Sequence, residues 1–343
     1  MIKRVFLQML FIGCAAAASV AHAQTPGIEK PDLKIAVGSK VGLFFLPTLL
    51  ADHLGYFKDE GLRVQIIDLG SGGKALEALI GGSVDVTSGA YDHTVQLQAK
   101  KIPLRAFVLE GKLADYSLGI VKGKAPNYKS PKDLKGLKIA VSSPGSGSDL
   151  FVKQVLALGG LKSSDVSLIS VGQSAGAVAA VRSGQVDAIA NTDPVMSIVE
   201  QSGDVRIIAD GRTEAGSKLV YGGNYPTGAL YAHEDFIKKN PRTIQALTNA
   251  TVRALRYLNG ATPEQVMKAL PKEFAGGDQK TFLLALKTML PTYSADGLFP
   301  ADGGAIVRKA LSTIDANVRD AKLDLSQTYT NEFVKQALAK PAR

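Results

Sequence analysis

The chain has 343 residues, 45% of them apolar and 21% charged, with a formal net charge of +9. That balance is enough to bury a large core, and the length allows two domains. The basic residues are scattered without a run of five and aromatics are only 6%, so no nucleic-acid partner is expected.

Met1 to Ala23 reads as a secretory signal peptide. Lys3 and Arg4 precede an apolar run from Val5 to Ala18, and Ala21-His22-Ala23 is a small-x-small cleavage site. The run is too short and wrongly flanked to span a membrane. An exported, periplasmic protein cleaved near Ala23 follows. The single cysteine, Cys14, lies inside this segment. Acylation at Cys14, on a loose lipoprotein box, is the weaker alternative. Without Cys14 the protein has no thiol nucleophile, cysteine–zinc site or disulfide.

Past a frayed leader, Leu33 to Val37 alternates as a strand. A loop at 38–42 and a helix opening at Pro47 follow. Leu62 to Leu69 is the next strand. It runs through Gly70-Ser71-Gly72-Gly73 into a helix over 74–80, then a strand over 84–88. A glycine turn opening a helix exposes unpaired N–H groups, and with the helix dipole these favour an anion or a carbonyl. A helix over 91–100 and a strand over 104–109 complete the first set. Strands alternating with helices predict an α/β protein with a parallel sheet.

The pattern then returns. Ser117 to Val121 is a strand outside the rhythm, and Leu137 to Val141 leads into Ser142-Ser-Pro-Gly-Ser-Gly-Ser148 before a helix over 149–158. Gly172 to Asp187 repeats the order of Gly70 to Asp85: glycine turn, small-residue helix, Gly-x-Val-Asp turn, apolar strand. One echo at that distance suggests two similar α/β lobes, although any two βαβ units share features. Gly211 to Gly223 reads as a polar loop crossing between lobes. After a strand over 229–233 the chain is helical, with a last helix over 329–339.

The best chemical constellation is five turns, at 38–42, 70–73, 88–91, 142–148 and 191–194. Ligands of open α/β sheets bind outside the carboxyl ends of the strands. The candidate ligand-binding residues are Ser39, Lys40 and Gly42; Ser71, Gly72 and Gly73; and Ser88, Gly89, Ala90 and Tyr91. The second half adds Gly145, Ser146, Gly147 and Ser148, then Asn191, Thr192, Asp193 and Tyr225. Each serine could equally be a turn or cap residue. An anionic headgroup is expected between Gly70–Gly73 and Ser146–Ser148. Tyr91 and Tyr225 could cover its organic part, or only pack the lobes. No histidine pair has metal-ligand spacing, and no nucleophile elbow or phosphate loop is present. No metal, cofactor or catalytic residue is expected. The rival reading is an enzyme using His93 with Asp92 or Lys40.

Ala51-Asp-His-Leu-Gly-Tyr-Phe-Lys-Asp-Glu-Gly-Leu62, Gly70-Ser-Gly-Gly-Lys74 and Gly82-Ser-Val-Asp-Val-Thr-Ser-Gly89 resemble the nitrate/sulfonate/taurine family of periplasmic solute-binding proteins. Ser130-Pro-Lys-Asp-Leu-Lys-Gly-Leu-Lys-Ile-Ala-Val141 and Phe236 to Pro241 extend the resemblance over about residues 33 to 260. It implies a type II periplasmic-binding fold: two α/β lobes joined by a two-stranded hinge, near 115–118 and 211–226. The implied division is a signal peptide (1–23), lobe one (32–115), lobe two (116–235) and C-terminal helices returning to lobe one (236–343). The implied partners are a small anionic ligand (sulfonate, nitrate, taurine or carboxylate class) and an ABC permease with its ATPase in the inner membrane. The protein is expected to be a monomer. The family's thiamin-precursor relatives carry a cysteine-rich motif that this chain lacks. Ser39-Lys-Val-Gly-Leu-Phe-Phe45 also departs from the polar loop common in sulfonate binders. A ligand-sensing module on a membrane receptor is the third reading.

Overall fold

The alternating runs pair into two sheets. In the computed structural model, which describes residues 27–339, β1 (Asp32–Val37) lies parallel to β2 (Arg63–Asp68), Asp32 opposite Arg63 and Val37 opposite Asp68. β3 (Val86–Ala90), β4 (Leu104–Leu109) and β10 (Gly228–His233) complete the first sheet in the order β2-β1-β3-β10-β4. The second holds β5 (Ser117–Val121), β6 (Lys138–Val141), β7 (Ser167–Ser170), β8 (Ala188–Asn191) and β9 (Val205–Asp210), in the order β7-β6-β8-β5-β9.

The two sheets share one plan. β2 and β7 are edge strands and β3 and β8 central ones, so the repeated segments occupy matching places. In each sheet one strand runs against both its neighbours: β10 against β3 and β4, and β5 against β8 and β9. Each of these two strands begins just after the chain has come over from the other sheet. The expected lobe boundary at 235 is therefore corrected, because β10 belongs to the first sheet.

Crossover connections between the parallel strands supply the covering helices. On the first lobe these are α1 (Leu46–His53), α2 (Tyr56–Asp59), α3 (Gly72–Ile80) and α4 (Asp92–Ala99). On the second they are α5 (Gly147–Leu158), α6 (Ala175–Arg182) and α7 (Val195–Gln201), while α8 (Glu214–Tyr221) lies on the passage from β9 to β10. The helix α8 replaces the loop expected at 211–223. Thr213 caps its start by accepting from Gly216 N at 3.0 Å, and Gly222 ends it at φ +83°. Its apolar residues Leu219, Val220 and Tyr221 are contiguous, which hides a helical period; Leu219 is left exposed.

The C-terminal helices are α9 (Glu234–Lys239), α10 (Pro241–Gly260), α11 (Pro263–Ala269), α12 (Gln279–Met289), α13 (Gly303–Ile314), α14 (Ala316–Asp320) and α15 (Glu332–Leu338). Among them α10 packs on α1, α2 and α15 of the first lobe. Others do not stay there: α12 packs on α7, and α13 lies against α4, α5 and α8. Gln154 of α5 donates to Ala310 O of α13 at 2.6 Å. These helices therefore bridge both lobes, where a return to the first alone was expected. One apolar cluster runs unbroken from Ile35 and Val86 of the first sheet through Tyr116 to Phe151 and Val155 of α5.

Candidate functional site

The chain passes between lobes at 110–116 and 211–227, and the two passages are tied by backbone hydrogen bonds. Glu110 N and Gly111 N donate to Gly228 O at 2.6 and 2.9 Å, and Thr227 N donates to Gly111 O at 3.0 Å. Gly211 N donates to Tyr116 O at 2.8 Å. Glycine eases this approach: a Cβ on Gly228 would stand 3.1 Å from Gly111 N, closer than most Cβ contacts.

The facing turns touch. His93 Nε2 of lobe one lies 3.1 Å from Gly145 O of lobe two, and Leu43 N donates to Asp193 O at 2.9 Å. A Cβ on Gly73 would lie 2.5 Å from Ser143 Oγ, and one on Gly38 would collide with Gln173 Oε1. The turns at 70–73 and 143–146 therefore pack on each other, and a headgroup between them requires the turns to part.

Most of the predicted hydroxyls serve their own turns. Ser71 Oγ caps α3 through Lys74 N, and Ser146 Oγ caps α5 through Asp149 N, each at 3.4 Å. Ser39 Oγ accepts from Val41 N, and Ser148 Oγ from Ser142 N. Ser88 Oγ donates to Glu110 Oε2 at 2.6 Å. The Lys40 side chain is exposed, while its amide donates to Asp68. Gly42 opens the short turn 43–45, and Gly72 begins α3. Asn191 bridges Gly172 O and Thr192 N. Asp193 accepts from Ser197 N and pairs with Arg212 at 3.0 Å. Ala90 pairs with Gly228 in the sheet, and Gly89 abuts the Tyr231 hydroxyl. Gly147 lies against the Tyr116 hydroxyl.

The two tyrosines part company. Tyr91 turns into lobe one, with its ring 4.9 Å from Phe299 and its hydroxyl 2.6 Å from Thr328 Oγ1. Its ring and hydroxyl are thus both taken up inside lobe one. Tyr225 stacks on Tyr221 at 3.8 Å, and its hydroxyl donates to Asp92 Oδ2 at 3.3 Å.

The sequence reading did not assemble what lies at this point. Asp92 opens α4 and is 2% exposed, with no partner for Oδ1. Burial raises its carboxyl to about 7, although the Tyr225 hydroxyl and the first amides of α4 oppose that rise. Burial, and then the charge of Asp92, push the phenols of Tyr116, Tyr221, Tyr225 and Tyr231 well above their usual range. Those four residues come from a crossing segment, α8, the second crossing segment and β10. No periodic pattern links them. His93 is pressed to about 4 by burial, with Nδ1 at 2.9 Å from Tyr231 OH. Both ring nitrogens have partners, Nδ1 the Tyr231 hydroxyl and Nε2 Gly145 O.

Another buried carboxylate, Asp115, sits at the crossing with φ +53°. Burial raises it well above the usual range, with the Asp193 charge adding to the rise. The only buried guanidinium or ammonium among the described residues is Arg212, and it is claimed by Asp193, Asp210 and Glu200. No group of acidic, histidine or cysteine side chains is placed to hold a metal among the described residues.

The family described as NMT1/THI5 like matches over residues 44–265, a span that contains both repeated turns and both crossings. This chain belongs to that family. A protein of solved structure from Bordetella bronchiseptica RB50 is 47% identical, with TM-score 0.88, covering 91% of this chain and 98% of that one. The putative aliphatic sulfonates-binding protein of Escherichia coli (strain K12) is 30% identical over 61% of this chain and 62% of its own. The periplasmic nitrate-binding protein NrtA from Synechocystis PCC 6803 is 16% identical, with TM-score 0.72, covering 92% and 91%. This NMT1/THI5-like chain thus has the type II periplasmic-binding-protein fold. A 4-amino-5-hydroxymethyl-2-methylpyrimidine phosphate synthase of Aspergillus parasiticus is also similar, 25% identical over 63% of this chain and 63% of its own. His22, Cys14 and the cleavage site near Ala23 lie outside the described residues.

Proposed function

We propose that this protein is the exported, periplasmic solute-binding component of an ABC importer, closing its two lobes on a small organic acid. The observation that carries the reading is the pair of hydrogen-bonded crossings between lobes that meet turn against turn. That arrangement suits hinge closure over a solute. The partners would be a permease and its ATPase, met by the closed form. The N-termini of α3 and α5 face each other from opposite lobes, and their amides suit a sulfonate or carboxylate once the turns part. With Arg212 neutralised by its own carboxylates, a dense inorganic anion such as nitrate gains less here than an organic acid with apolar surface. Phe44, Tyr116 and Tyr225 provide that surface.

A thermal-shift screen of sulfonates, carboxylates and nitrate against the purified protein tests this. A specific ligand raises the melting temperature by mass action. No shift with any of them, or a shift that survives substitutions in the cleft, would overturn it. The pyrimidine-synthase-named relatives suggest enzymatic turnover as a second reading. Recovery of the ligand unchanged, by mass spectrometry after long incubation, supports binding alone; a converted ligand supports the enzyme.

A further inference from the structure

We propose that the cleft recognises a protonated amine on its ligand, through Asp92 and the tyrosines around it. This rests on the solute-binding reading above and names one group of that solute. Asp92 is almost wholly buried at the junction of the lobes, with Oδ2 taking the Tyr225 hydroxyl at 3.3 Å and Oδ1 taking none. It forms no ion pair among the described residues. The nearest base, His93, has Nδ1 turned to Tyr231 and Nε2 to Gly145 O. The first amides of α4 offset part of the carboxylate's charge yet leave Oδ1 without a hydrogen bond.

A buried acceptor left unpaired is costly, and the chemistry that relieves it is an N–H donor with positive charge. An ammonium group supplies both. Aromatic faces attract a cation in the same place. Tyr225 reaches Asp92 and stacks on Tyr221, Tyr221 and Tyr116 both pack on Phe151, and Tyr231 holds His93 beside Asp92. They come from both lobes and both crossings, so opening the lobes would part them and admit a ligand. An anionic group at this point would face Asp92 directly. The acid end of a ligand therefore belongs at the turns, and the amine end at Asp92.

The test is calorimetric titration and thermal shift with matched probes: γ-aminobutyrate against butyrate, 3-aminopropanesulfonate against propanesulfonate, and butylamine against butanol. Wild type, Asp92→Asn and Tyr225→Phe are compared. The amino member of at least one pair should bind about tenfold tighter or more. Asp92→Asn should erase that ratio while leaving the unliganded melting temperature equal or higher, since it removes a buried charge without changing shape. Tyr225→Phe should keep the ratio. Desamino probes binding as tightly as their partners, or a ratio that survives Asp92→Asn, would overturn the inference while the solute-binding reading stands. No probe of either kind shifting the wild-type protein counts against the solute-binding reading itself.

Discussion

Single residues divide sharply between holding the fold and facing the cleft. Tyr91 belongs to the first group, because Phe299 and Tyr329 pack its ring and Thr328 holds its hydroxyl. Tyr91→Ala should cost about 3–5 kcal/mol of stability, as for truncating a buried aromatic. Chemical denaturation reads that loss, and titration of the variant while still folded should show unchanged affinity. A selective loss of affinity would return Tyr91 to the site. Glu110 accepts from Thr48 and Ser88 at 2.6 Å each, yet burial raises its carboxyl to about 7. A raised carboxyl means that the folded state binds the proton more tightly than the unfolded chain. Its contribution to stability is present below the ordinary value of 4.5 and is lost as pH climbs to about 7. Asp92 acts in the same direction. His93, lowered to about 4, acts oppositely: its contribution is lost as pH falls from 6.5 to about 4. Glu110→Gln removes only the first of these losses. The stability of the variant relative to wild type should therefore rise between about pH 5 and about pH 8 in urea titrations. A constant difference would show that Glu110 ionises as it does in the unfolded chain.

At the scale of elements, closure depends on glycines that let turns meet. Gly73 is the first-turn residue of α3, and a side chain there would reach 2.5 Å from Ser143 Oγ and 2.8 Å from Pro144 O across the cleft. Neither atom belongs to Gly73's own lobe. Gly73→Val should therefore be felt in the closed state and hardly at all with the lobes apart. We expect it to weaken ligand binding by about 1–3 kcal/mol, the usual cost of overpacking. The unliganded melting temperature should barely move. A melting temperature lowered by the same amount, with affinity intact, would mean that the contact supports the fold instead. The α13 helix is the third connection between lobes, through Gln154 and Thr313 as well as its packing on α4 and α8. Any hinge motion has to slide or carry this helix, so it limits how far the two sheets separate.

Across the whole molecule, the apolar core does not stop at the lobe boundary. It continues from the first sheet through Phe44 and Tyr116 to Phe151 and Leu156 of the second. A smaller cluster around Ala140, Val181, Ile189 and Met196 fills the far side of the second lobe. With no apolar gap between lobes, unfolding should be one cooperative transition in calorimetry. Two resolved transitions, each assignable to a lobe, would contradict this. The topology argues the same way: β10 sits inside the first sheet, whose other strands all precede the second sheet in the chain. The first sheet is therefore built from two separated segments, while the second sheet comes from one.

The local periodicities and the repeat are properties of short stretches, and the sequence by itself determined them. Period-two runs at 33–37 and 63–68 are strands because one face must be buried, and glycine turns open helices because only they permit the backbone. The echo of Gly70–Asp85 in Gly172–Asp187 announced two lobes of one plan, since each copy buries the same surface in the same order. The placement of β10 in the first sheet was not legible, because strand order depends on partners far along the chain. Nor was α8, which buries only Val220 and Tyr221 of its apolar run and packs on α5 and α13. The site itself was legible only at its rim. Serines and glycines of the turns announce themselves by composition, but most of those hydroxyls are spent on caps. Asp92, Tyr116, Tyr221, Tyr225 and Tyr231 share no spacing or motif. Tertiary structure alone brings them together, because burial and charge act through space on residues that five separate stretches of chain deliver to one point.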